Sequence, residues 1–599
     1  MPYEITRTEL VWPGKYDADG KRREPARVSL PFQVIERVNE SRATREAKRQ
    51  RGLTLFDFWE GDTADTFEDG WRNKLIWGEN KLVMSSLLDQ FAGKIDLIYI
   101  DPPFATGADF SFSALVGDGS DVLVKEQSLI EEAAYWDTWG GGAASYVAMI
   151  ADRLRVLKDL LTATGSLLVH CDFRVMHFVG LVLDEMLGSG DRGASEDRPG
   201  FRNEIAWMYG LGGSSPKCYP KKHDTLLWYT KSAQWYFDPP MVPATSQRMK
   251  GLDKKCPDTW DIPAINNMAD ERTGYPTQKP EALLERVISA HSRRGDLVAD
   301  FFCGSGTTQV VAERLGRRWI GCDLSRYAIH VTRKRLLDVP DCNPFEVLNL
   351  GKYERTYWQV ATFGEDLDED GLISLYEYIA FILKLYGAAP TAGMQWLHGK
   401  KGRAFVHVGA VDSPVTITEI AACIEECVAL KARELHILGW EWEMGLHDPM
   451  EDEAKARGVQ LVLRQIPREV MEERAAAKGD VQFFELAYLD VAVEPTRRKY
   501  EVVARLKNFV IPNSELVPDE VREKIRKWSD YVDYWAVDWD FSDDTFHQGW
   551  VTYRTRKDRR LALLSEPHAY DEPGDYLVMV KVIDIFGNDT STILNARVN

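Results

Sequence analysis

Residues 95–104 read Ile95-Asp96-Leu97-Ile98-Tyr99-Ile100-Asp101-Pro102-Pro103-Phe104, and they are the first clue to how the chain is built. The apolar run before Asp101 predicts a buried strand that ends at this carboxylate. Two consecutive prolines have no backbone N–H, so the carbonyls of Asp101 and Pro102 remain available to accept hydrogen bonds from a ligand. Phe104 places an aromatic ring beside them.

A carboxylate, a carbonyl oxygen and an aromatic ring can together hold a planar base by its exocyclic amino group. Ligands of open α/β sheets bind at the ends of strands, where these groups are expected. The structural alternative is a strand that ends in a proline turn and binds nothing. Residues 101–104 alone do not distinguish these two interpretations.

A second stretch, residues 297–325, has the pattern of a strand, a glycine-rich turn and a helix. Residues 297–300 lead into Phe302-Cys303-Gly304-Ser305-Gly306-Thr307-Thr308, whose glycines permit a tight turn and close approach of backbone amides to a ligand. Residues 319–323 predict the next strand, which ends in Asp323, a carboxylate able to accept from ribose hydroxyls. Nicotinamide, flavin and sulfonium nucleosides can all use such a site.

Together these motifs resemble those of the β-class amino-group DNA methyltransferases, in which a DPPF-type motif precedes the glycine-rich motif. The resemblance is closest to the modification subunits of type III restriction systems. Two further segments carry it, Leu75-Ile76-Trp77-Gly78-Glu79-Asn80 and Tyr275-Pro276-Thr277-Gln278-Lys279-Pro280. The resemblance covers about residues 70–340, and its four motifs follow the family's order.

The resemblance implies an α/β protein with a Rossmann-like sheet that uses S-adenosylmethionine as its cofactor. Its implied catalytic residues are Asp101, Pro102, Pro103 and Phe104. Its implied cofactor-binding residues are Asn80, Thr277, Gln278, Lys279, Asp300, Phe302, Gly304, Gly306, Thr307 and Asp323.

The implied reaction is methyl transfer to adenine N6 in double-stranded DNA, in a restriction-modification or phage-defence system. Adenine is preferred because the resembling enzymes with Asp at the first motif position mostly modify adenine. Cytosine N4 is the alternative acceptor. A DNA-binding assembly subunit that keeps the fold without turnover is an alternative of another class.

Composition agrees with a cytoplasmic protein of several domains. The 599 residues include eight cysteines without a CxxC pair, and no apolar run is long enough to span a bilayer. We therefore expect neither a metal site nor a membrane segment. The net charge of −19 is unusual for a DNA-binding protein. However, residues 201–335 contain 21 Lys and Arg against 14 Asp and Glu, a local charge of +7.

The basic residues in this region predict DNA contacts. Lys217, Lys221 and Lys222 lie in a loop between two predicted antiparallel strands, and Arg248, Lys250 and Lys254 lie in a short target-recognition segment at about residues 235–274. Residues 105–145 predict a long loop that closes over the extruded base or the DNA. His170 and Asp172 end another predicted strand, where they could reach the site or cap a loop.

The pattern along the chain predicts five segments: a basic N-terminal arm (1–52), the methyltransferase domain (53–345), a linker or helical segment (346–395), a small α/β domain with a parallel sheet (396–495) and an immunoglobulin-like β-sandwich (496–599). A solvated helix packed on the catalytic domain is the alternative for the arm. The last two domains could bind a restriction or defence partner. The sequence indicates no oligomeric state.

Overall fold

The computed structural model describes residues 9–39, 66–67, 70–103, 111–115, 117, 122–126, 142–190, 198–210, 216–244, 251–266, 269–364, 372–443, 447–471, 481, 483–511, 522–542, 545–554, 558–585 and 588–598. Its contacts divide the chain into two compact units. The first unit comprises residues 1–110 and 134–349, and the second comprises residues 111–133 and 350–599.

The first unit is built on one large mixed sheet. Its strands are β1 (Gln33–Val38), β2 (Asn73–Trp77), β3 (Ile95–Ile100), β6 (Leu161–Cys171), β7 (Gly200–Met208), β8 (His223–Thr230), β11 (Thr259–Asp261), β12 (Leu297–Asp300), β13 (Arg318–Asp323) and β14 (Phe345–Asn349), where labels follow the chain. In space they run β11-β7-β8-β6-β3-β12-β13-β2-β14-β1. Strands β9 (Met241–Pro243) and β10 (Asp253–Lys255) form a separate antiparallel pair.

The strand order reverses at the centre of this sheet. The strands from β6 to β14 are parallel to one another, whereas β8 is antiparallel to β6 and β7 is antiparallel to β8. The chain continues from β3 to β6 on one side and from β12 to β13 on the other. Open α/β sheets bind ligands at such a reversal, outside the carboxyl ends of the strands. In this sheet that position lies at the carboxyl ends of the neighbouring strands β3 and β12.

Helices cover both faces of the sheet. They are α1 (Asn80–Phe91), α2 (Ala143–Leu160), α3 (Met176–Leu187), α4 (Glu281–His291), α5 (Thr307–Arg314) and α6 (Arg326–Leu337). Leu97 and Tyr99 of β3 share a core with residues of α4, α5 and α6. Ile98 and Ile100 alternate to the other face and are also fully buried. A strand covered on both faces explains the nearly continuous apolar run before Asp101.

The N-terminal segment differs from the predicted basic arm. Strand β1 pairs antiparallel with β14, and Trp12 and Phe32 are buried. Glu36 of β1 forms a buried ion pair with Arg333 of α6. Residues 9–39 are therefore part of the first unit's fold, while residues 1–8 and 40–52 of the predicted arm lie outside the described residues.

The second unit contains a six-stranded mixed sheet of order β15-β16-β17-β18-β19-β20. Its strands are β15 (Ala389–Pro390), β16 (Gly399–Lys401), β17 (Ala404–Val408), β18 (Glu434–Gly439), β19 (Gln460–Gln465) and β20 (Phe484–Glu485). Its helices are α7 (Gly351–Phe363), α8 (Leu372–Tyr386), α9 (Ile417–Ala429) and α10 (His447–Ala456).

Two features of this sheet correct the sequence prediction. Only β17, β18 and β19 are parallel, and the outer strands are antiparallel to them. Tyr378 and Ile382 of α8 share a core with Val406 and Leu438 of the sheet. The segment predicted as a linker or helical segment at residues 346–395 contains helices α7 and α8, and α8 contributes to the core of this α/β fold.

Two further sheets of the second unit share one apolar core that includes Val491, Val502, Trp535 and Val580. The first sheet has β21 (Tyr488–Pro495), β22 (Glu501–Val510) and β26 (His568–Ala569). The second has β23 (Val532–Asp538), β25 (Trp550–Tyr553), β27 (Gly574–Asp584) and β28 (Asp589–Val598). A short strand, β24 (Phe546–His547), lies between β23 and β25 in the chain. The β-rich region begins at Tyr488, before the predicted boundary at residue 496.

The segment predicted as a long loop at residues 105–145 contains an antiparallel hairpin of β4 (Ser111–Leu115) and β5 (Val122–Glu126). Its contacts place it in the second unit, where Gly117 lies against the Asp530 carboxylate. In the part of the chain that the structure describes, no helix is long and apolar enough to cross a membrane.

Candidate active site

The polar residues singled out in the sequence meet at one edge of the first unit's sheet. Asp101, Asp300 and Asp323 stand at the carboxyl ends of the parallel strands β3, β12 and β13. Asn80 follows β2, whose last residue Trp77 is in register with Asp323. The reversal of strand order thus brings the DPPF motif and the glycine-rich motif to the same edge.

Asp101 has one occupied and one unoccupied carboxylate oxygen. Its Oδ2 accepts a hydrogen bond from the Lys279 ammonium, which belongs to the Thr277-Gln278-Lys279-Pro280 motif. Its Oδ1 is buried and has no hydrogen-bond partner among the described residues. The Asp101 side chain keeps 16% of its surface exposed. A buried acceptor without a partner is costly, so this oxygen is suited to receive an N–H from a ligand.

His170 lies directly behind this carboxylate at the end of β6. The ring is fully buried; its Nδ1 is 2.9 Å from the Tyr99 hydroxyl and 3.8 Å from Asp101 Oδ1. Its Nε2 is 3.3 Å from Asp224 Oδ2. Burial by itself would raise the pKa of Asp224, but the hydrogen bond and charge of His170, with Lys279, lower it below its ordinary value. The two nitrogens of the His170 ring are thus held between the Tyr99 hydroxyl and the Asp224 carboxylate.

The glycine-rich turn is organised by a buried carboxylate. Asp300 accepts from the Phe302 amide at 3.0 Å and from the Thr308 hydroxyl at 2.6 Å. Burial raises the pKa of Asp300 to about 7. Gly304 and Gly306 have φ of 51° and 73°, in the left-handed region that favours glycine. The role of Asp300 in this structure is to hold the turn rather than to face solvent.

Asp323 connects the turn to the next strand. Its Oδ2 accepts from the Gly304 amide at 2.8 Å, and its Oδ1 accepts from the Ser325 amide at 2.9 Å. The side chain is only half-buried, and a carboxylate oxygen can accept more than one hydrogen bond. Asp323 can therefore still accept hydrogen bonds from a bound nucleoside.

Other predicted cofactor residues are engaged within the protein. Asn80 donates to the Phe301 carbonyl at 3.0 Å and accepts from Arg153, which also pairs with Glu79. Gln278 bonds the backbone of Glu271 and both the amide and hydroxyl of Thr273. The Thr307 hydroxyl donates to the Lys279 carbonyl, and Thr277 is exposed. These contacts tie the four motifs together whether or not each side chain touches a ligand.

The residues present fit a nucleoside with an adjacent methyl donor. The left-handed glycines keep side chains out of the turn; a Cβ on Gly304 would come within 3.2 Å of the Tyr275 ring. Asp323 supplies an acceptor for ribose hydroxyls, and the unpartnered Asp101 Oδ1 supplies an acceptor for an amine. No cluster of His, Cys, Asp and Glu in the described ranges could hold a metal ion.

The structure describes four of the six predicted DNA-binding residues. Lys217 and Lys221 are exposed, and Lys222 and Lys254 are half-buried. The three lysines of residues 217–222 belong to the loop that connects β7 to β8, and β8 begins beside Asp224 at the edge described above. Lys254 lies on the separate β9–β10 pair. Arg248, Lys250 and the predicted catalytic residue Phe104 lie outside the described residues.

Sequence reasoning missed Asp224, Tyr99 and the pairing of Lys279 with Asp101. It left open whether His170 and Asp172 reach the site. The structure brings His170 to Asp101, whereas Asp172 accepts from the backbone and side chain of Arg174. Asp224 is a polar residue at the start of a predicted strand, which is a signal that the sequence contains. Its partner, His170, is 54 residues away in the chain, so the sequence does not show the pairing.

Comparison with known proteins agrees with this geometry. A family model described as DNA methylase matches residues 95–334. The DNA adenine methyltransferase YhdJ of Escherichia coli (strain K12) is 30% identical over 262 residues, which cover 41% of this chain and 77% of that protein. The chain belongs to the DNA methylase family. This methylase is also similar to the type II methyltransferases M.HpaI of Haemophilus parainfluenzae and M2.DpnII of Streptococcus pneumoniae.

Both type II relatives are 28% identical to this methylase, over 249 and 281 residues. The aligned regions cover 40% and 44% of this chain and 68% and 92% of the relatives. The family match ends at residue 334, before the second unit's main segment begins at residue 350. The resemblance to an amino-group DNA methylase is thus confirmed, and the narrower resemblance to type III modification subunits stays a prediction.

Proposed function

We propose that this protein transfers a methyl group from S-adenosylmethionine to the N6 amino group of adenine in double-stranded DNA. The observation that carries the proposal is the buried, unpartnered Oδ1 of Asp101 beside the Pro102 carbonyl. These acceptors lie at the strand-order reversal, next to the glycine-rich turn. An exocyclic amine has two N–H groups, one for each acceptor.

The chain's own residues would orient the amine and improve it as a nucleophile. Lys279 holds Oδ2, so the carboxylate presents Oδ1 to the base. Hydrogen bonds from both N–H groups favour a pyramidal nitrogen, whose lone pair is then less delocalised into the ring. Positioning of this kind contributes much of the rate in a displacement reaction. Phe104 is proposed to stack on the extruded base.

Asp323 and the backbone of the Gly304–Gly306 turn are the proposed holders of the cofactor, with Asp300 and Thr308 keeping the turn in shape. When bound, S-adenosylmethionine supplies a methyl group on a positively charged sulfur. An amine nitrogen can attack that methyl carbon in line with the carbon–sulfur bond, and the sulfur leaves as a neutral thioether. The chain must then exclude water and hold the amine on the far side of the methyl group. In this proposal, Asp101 Oδ1 would accept the proton that the methylated amine releases.

Adenine rather than cytosine is proposed on two grounds. The first position of the motif is Asp101, and one relative, YhdJ, is named a DNA adenine methyltransferase. The local charge of +7 over residues 201–335 supports DNA as the substrate. We also propose a cytoplasmic location and a restriction or defence partner for the second unit, whose main segment, residues 350–599, lies outside the family match.

The test is transfer of tritiated methyl from S-adenosylmethionine to unmethylated plasmid DNA, followed by digestion to nucleosides. Label is expected in N6-methyladenine, and Asp101→Ala should lower the rate by about a hundredfold or more, on the scale found for loss of one transition-state hydrogen bond. The matched control is Asp159→Asn, which removes a half-exposed carboxylate of α2 paired with Arg27. It should leave the rate within twofold of wild type.

Three results would contradict parts of the proposal. Label in N4-methylcytosine would overturn the choice of base and keep the site. Equal rates for wild type and Asp101→Ala would remove Asp101 from the mechanism. A wild-type protein that binds both cofactor and DNA without transfer would favour the assembly subunit.

A further inference from the structure

The loop of residues 216–222, here called the lysine loop, is attached to the active-site edge at two points. Lys221 places its ammonium 3.4 Å from the centre of the Phe173 ring, directly after strand β6. Two residues past the loop, Asp224 lies 3.3 Å from His170, which borders Asp101. The Tyr209 amide donates to the Lys222 carbonyl and closes the base of the loop. The lysine loop therefore stands beside the catalytic carboxylate.

Tyr219 projects from this loop into solvent. Its side chain is 94% exposed, and the next most exposed large hydrophobic side chain of the described residues is Tyr376 at 67%. The fold gives the Tyr219 ring no packing role, and an exposed aromatic ring is more informative than an exposed aliphatic one because aromatic rings dominate interface energetics. Tyr219 is five positions before Asp224 in the chain, so its Cα lies within ~18 Å of the Asp224 Cα.

The surroundings of Tyr219 are cationic. Lys217, Lys221 and Lys222 flank it in sequence, and Arg174 lies 4.8 Å from the Phe173 ring on which Lys221 rests. Cations beside an exposed aromatic ring suit a nucleic acid, whose phosphates take the charges and whose bases take the ring. Charge complementarity thus selects DNA as the occupant of this surface.

We propose that Tyr219 inserts into the DNA base stack next to the target base and stabilises the duplex while the base is extruded. This inference rests on the proposed function and adds a residue to it. Extrusion breaks stacking on both sides of the target base, which costs free energy. An aromatic ring that stacks on the remaining bases offsets part of that cost, as apolar wedges do in other proteins that deform DNA.

The experiment compares Tyr219→Ala, Tyr219→Phe and wild type, after the modified sequence has been mapped on plasmid DNA methylated by the wild-type protein. Each protein is assayed on a fully paired oligonucleotide and on the same target opposite a mismatched base. Base extrusion is measured separately, by the fluorescence of 2-aminopurine at the target position with no cofactor present. Tyr376→Ala, which removes an exposed tyrosine of α8, is the matched control.

We expect Tyr219→Ala to lower kcat/KM on paired DNA about tenfold to a hundredfold, which is the range of one base–aromatic stack. The loss should shrink to less than threefold on mismatched DNA, because a mismatched base is already unstacked. The 2-aminopurine fluorescence should be lower with Tyr219→Ala than with wild type, and it should be unchanged with Tyr376→Ala. Tyr219→Phe keeps the ring and should match wild type in both assays.

Two results would overturn the inference while leaving the proposed function intact. One is Tyr219→Ala activity within twofold of wild type on paired DNA. The other is an equal loss on paired and mismatched DNA, which would assign Tyr219 to binding rather than extrusion. Absence of transfer by the wild-type protein would overturn the proposed function itself, and this inference with it.

Discussion

Gly306 offers a direct test of how the glycine-rich turn is built. Its φ is 73°, and a Cβ at this position would lie 2.4 Å from Cγ2 and 2.5 Å from Oγ1 of Thr332. Thr332 is fully buried, so it cannot move aside into solvent. Gly306→Ala should therefore cost about 1–2 kcal/mol for the left-handed backbone and about 1–3 kcal/mol for the overlap.

Gly295 provides the matched control for this substitution. Its φ is 85°, and a Cβ there would meet no atom within 4 Å. Gly295→Ala should cost only the backbone part. The lost flexibility of the unfolded chain is the same for both substitutions, so it cancels in the comparison. The difference between the two variants, about 1–3 kcal/mol, then measures the contact with Thr332.

The assay is hydrogen exchange of peptides covering residues 297–325, measured at increasing urea. It reports the free energy of opening of this region alone, which matters because two compact units need not unfold together. Gly306→Ala should exchange faster than Gly295→Ala at every urea concentration. Equal opening free energies for the two variants would refute the steric explanation of Gly306.

Two further predictions concern buried polar groups. His170→Gln should lower the methyl-transfer rate about tenfold with cofactor affinity unchanged, because His170 joins Asp224 to the Asp101 carboxylate; a steady-state rate equal to wild type would contradict this. Asp300 has its pKa raised by burial to about 7 from 3.8. The stability linked to its protonated form is fully present below pH 3.8 and is lost as pH rises to about 7. The side-chain amide of Asp300→Asn can still accept from Thr308 but does not titrate. The free energy of unfolding, measured by urea at each pH, should therefore change less between pH 3.8 and about 7 in this variant than in wild type. An unchanged pH dependence would contradict the raised pKa of Asp300.

The second unit contains the hairpin that follows the DPPF motif in sequence. Residues 111–133 group with residues 350–599 rather than with the first unit. A Cβ on Gly117, whose φ is 60°, would lie 2.8 Å from Asp530 Oδ1, an oxygen with no hydrogen-bond partner in the described part of the chain. The sequence predicted a flexible closing loop here because small and polar residues are common to loops and to short hairpins.

Local patterns were sufficient for the strands that end in the three carboxylates of the candidate site. The apolar runs before Asp101, Asp300 and Asp323 predicted β3, β12 and β13, and the glycines predicted the turn that follows β12. These features depend on neighbours in the chain: burial on both faces requires a continuous apolar run, and a positive φ requires glycine. Motif order then indicated the family, which the comparisons confirmed.

Tertiary structure alone decided which polar groups meet. Lys279 pairs with Asp101 across 178 residues, and Arg333 pairs with Glu36 across 297 residues. In sequence, Arg333 belongs to a basic helix that indicates a solvated surface, yet it is buried against a strand from the N-terminal segment. The sequence gives the charge of a residue. Its ion-pair partner depends on which strands become neighbours in the sheet. That neighbourhood follows from long-range packing and crossover connections, and no local stretch of sequence contains it.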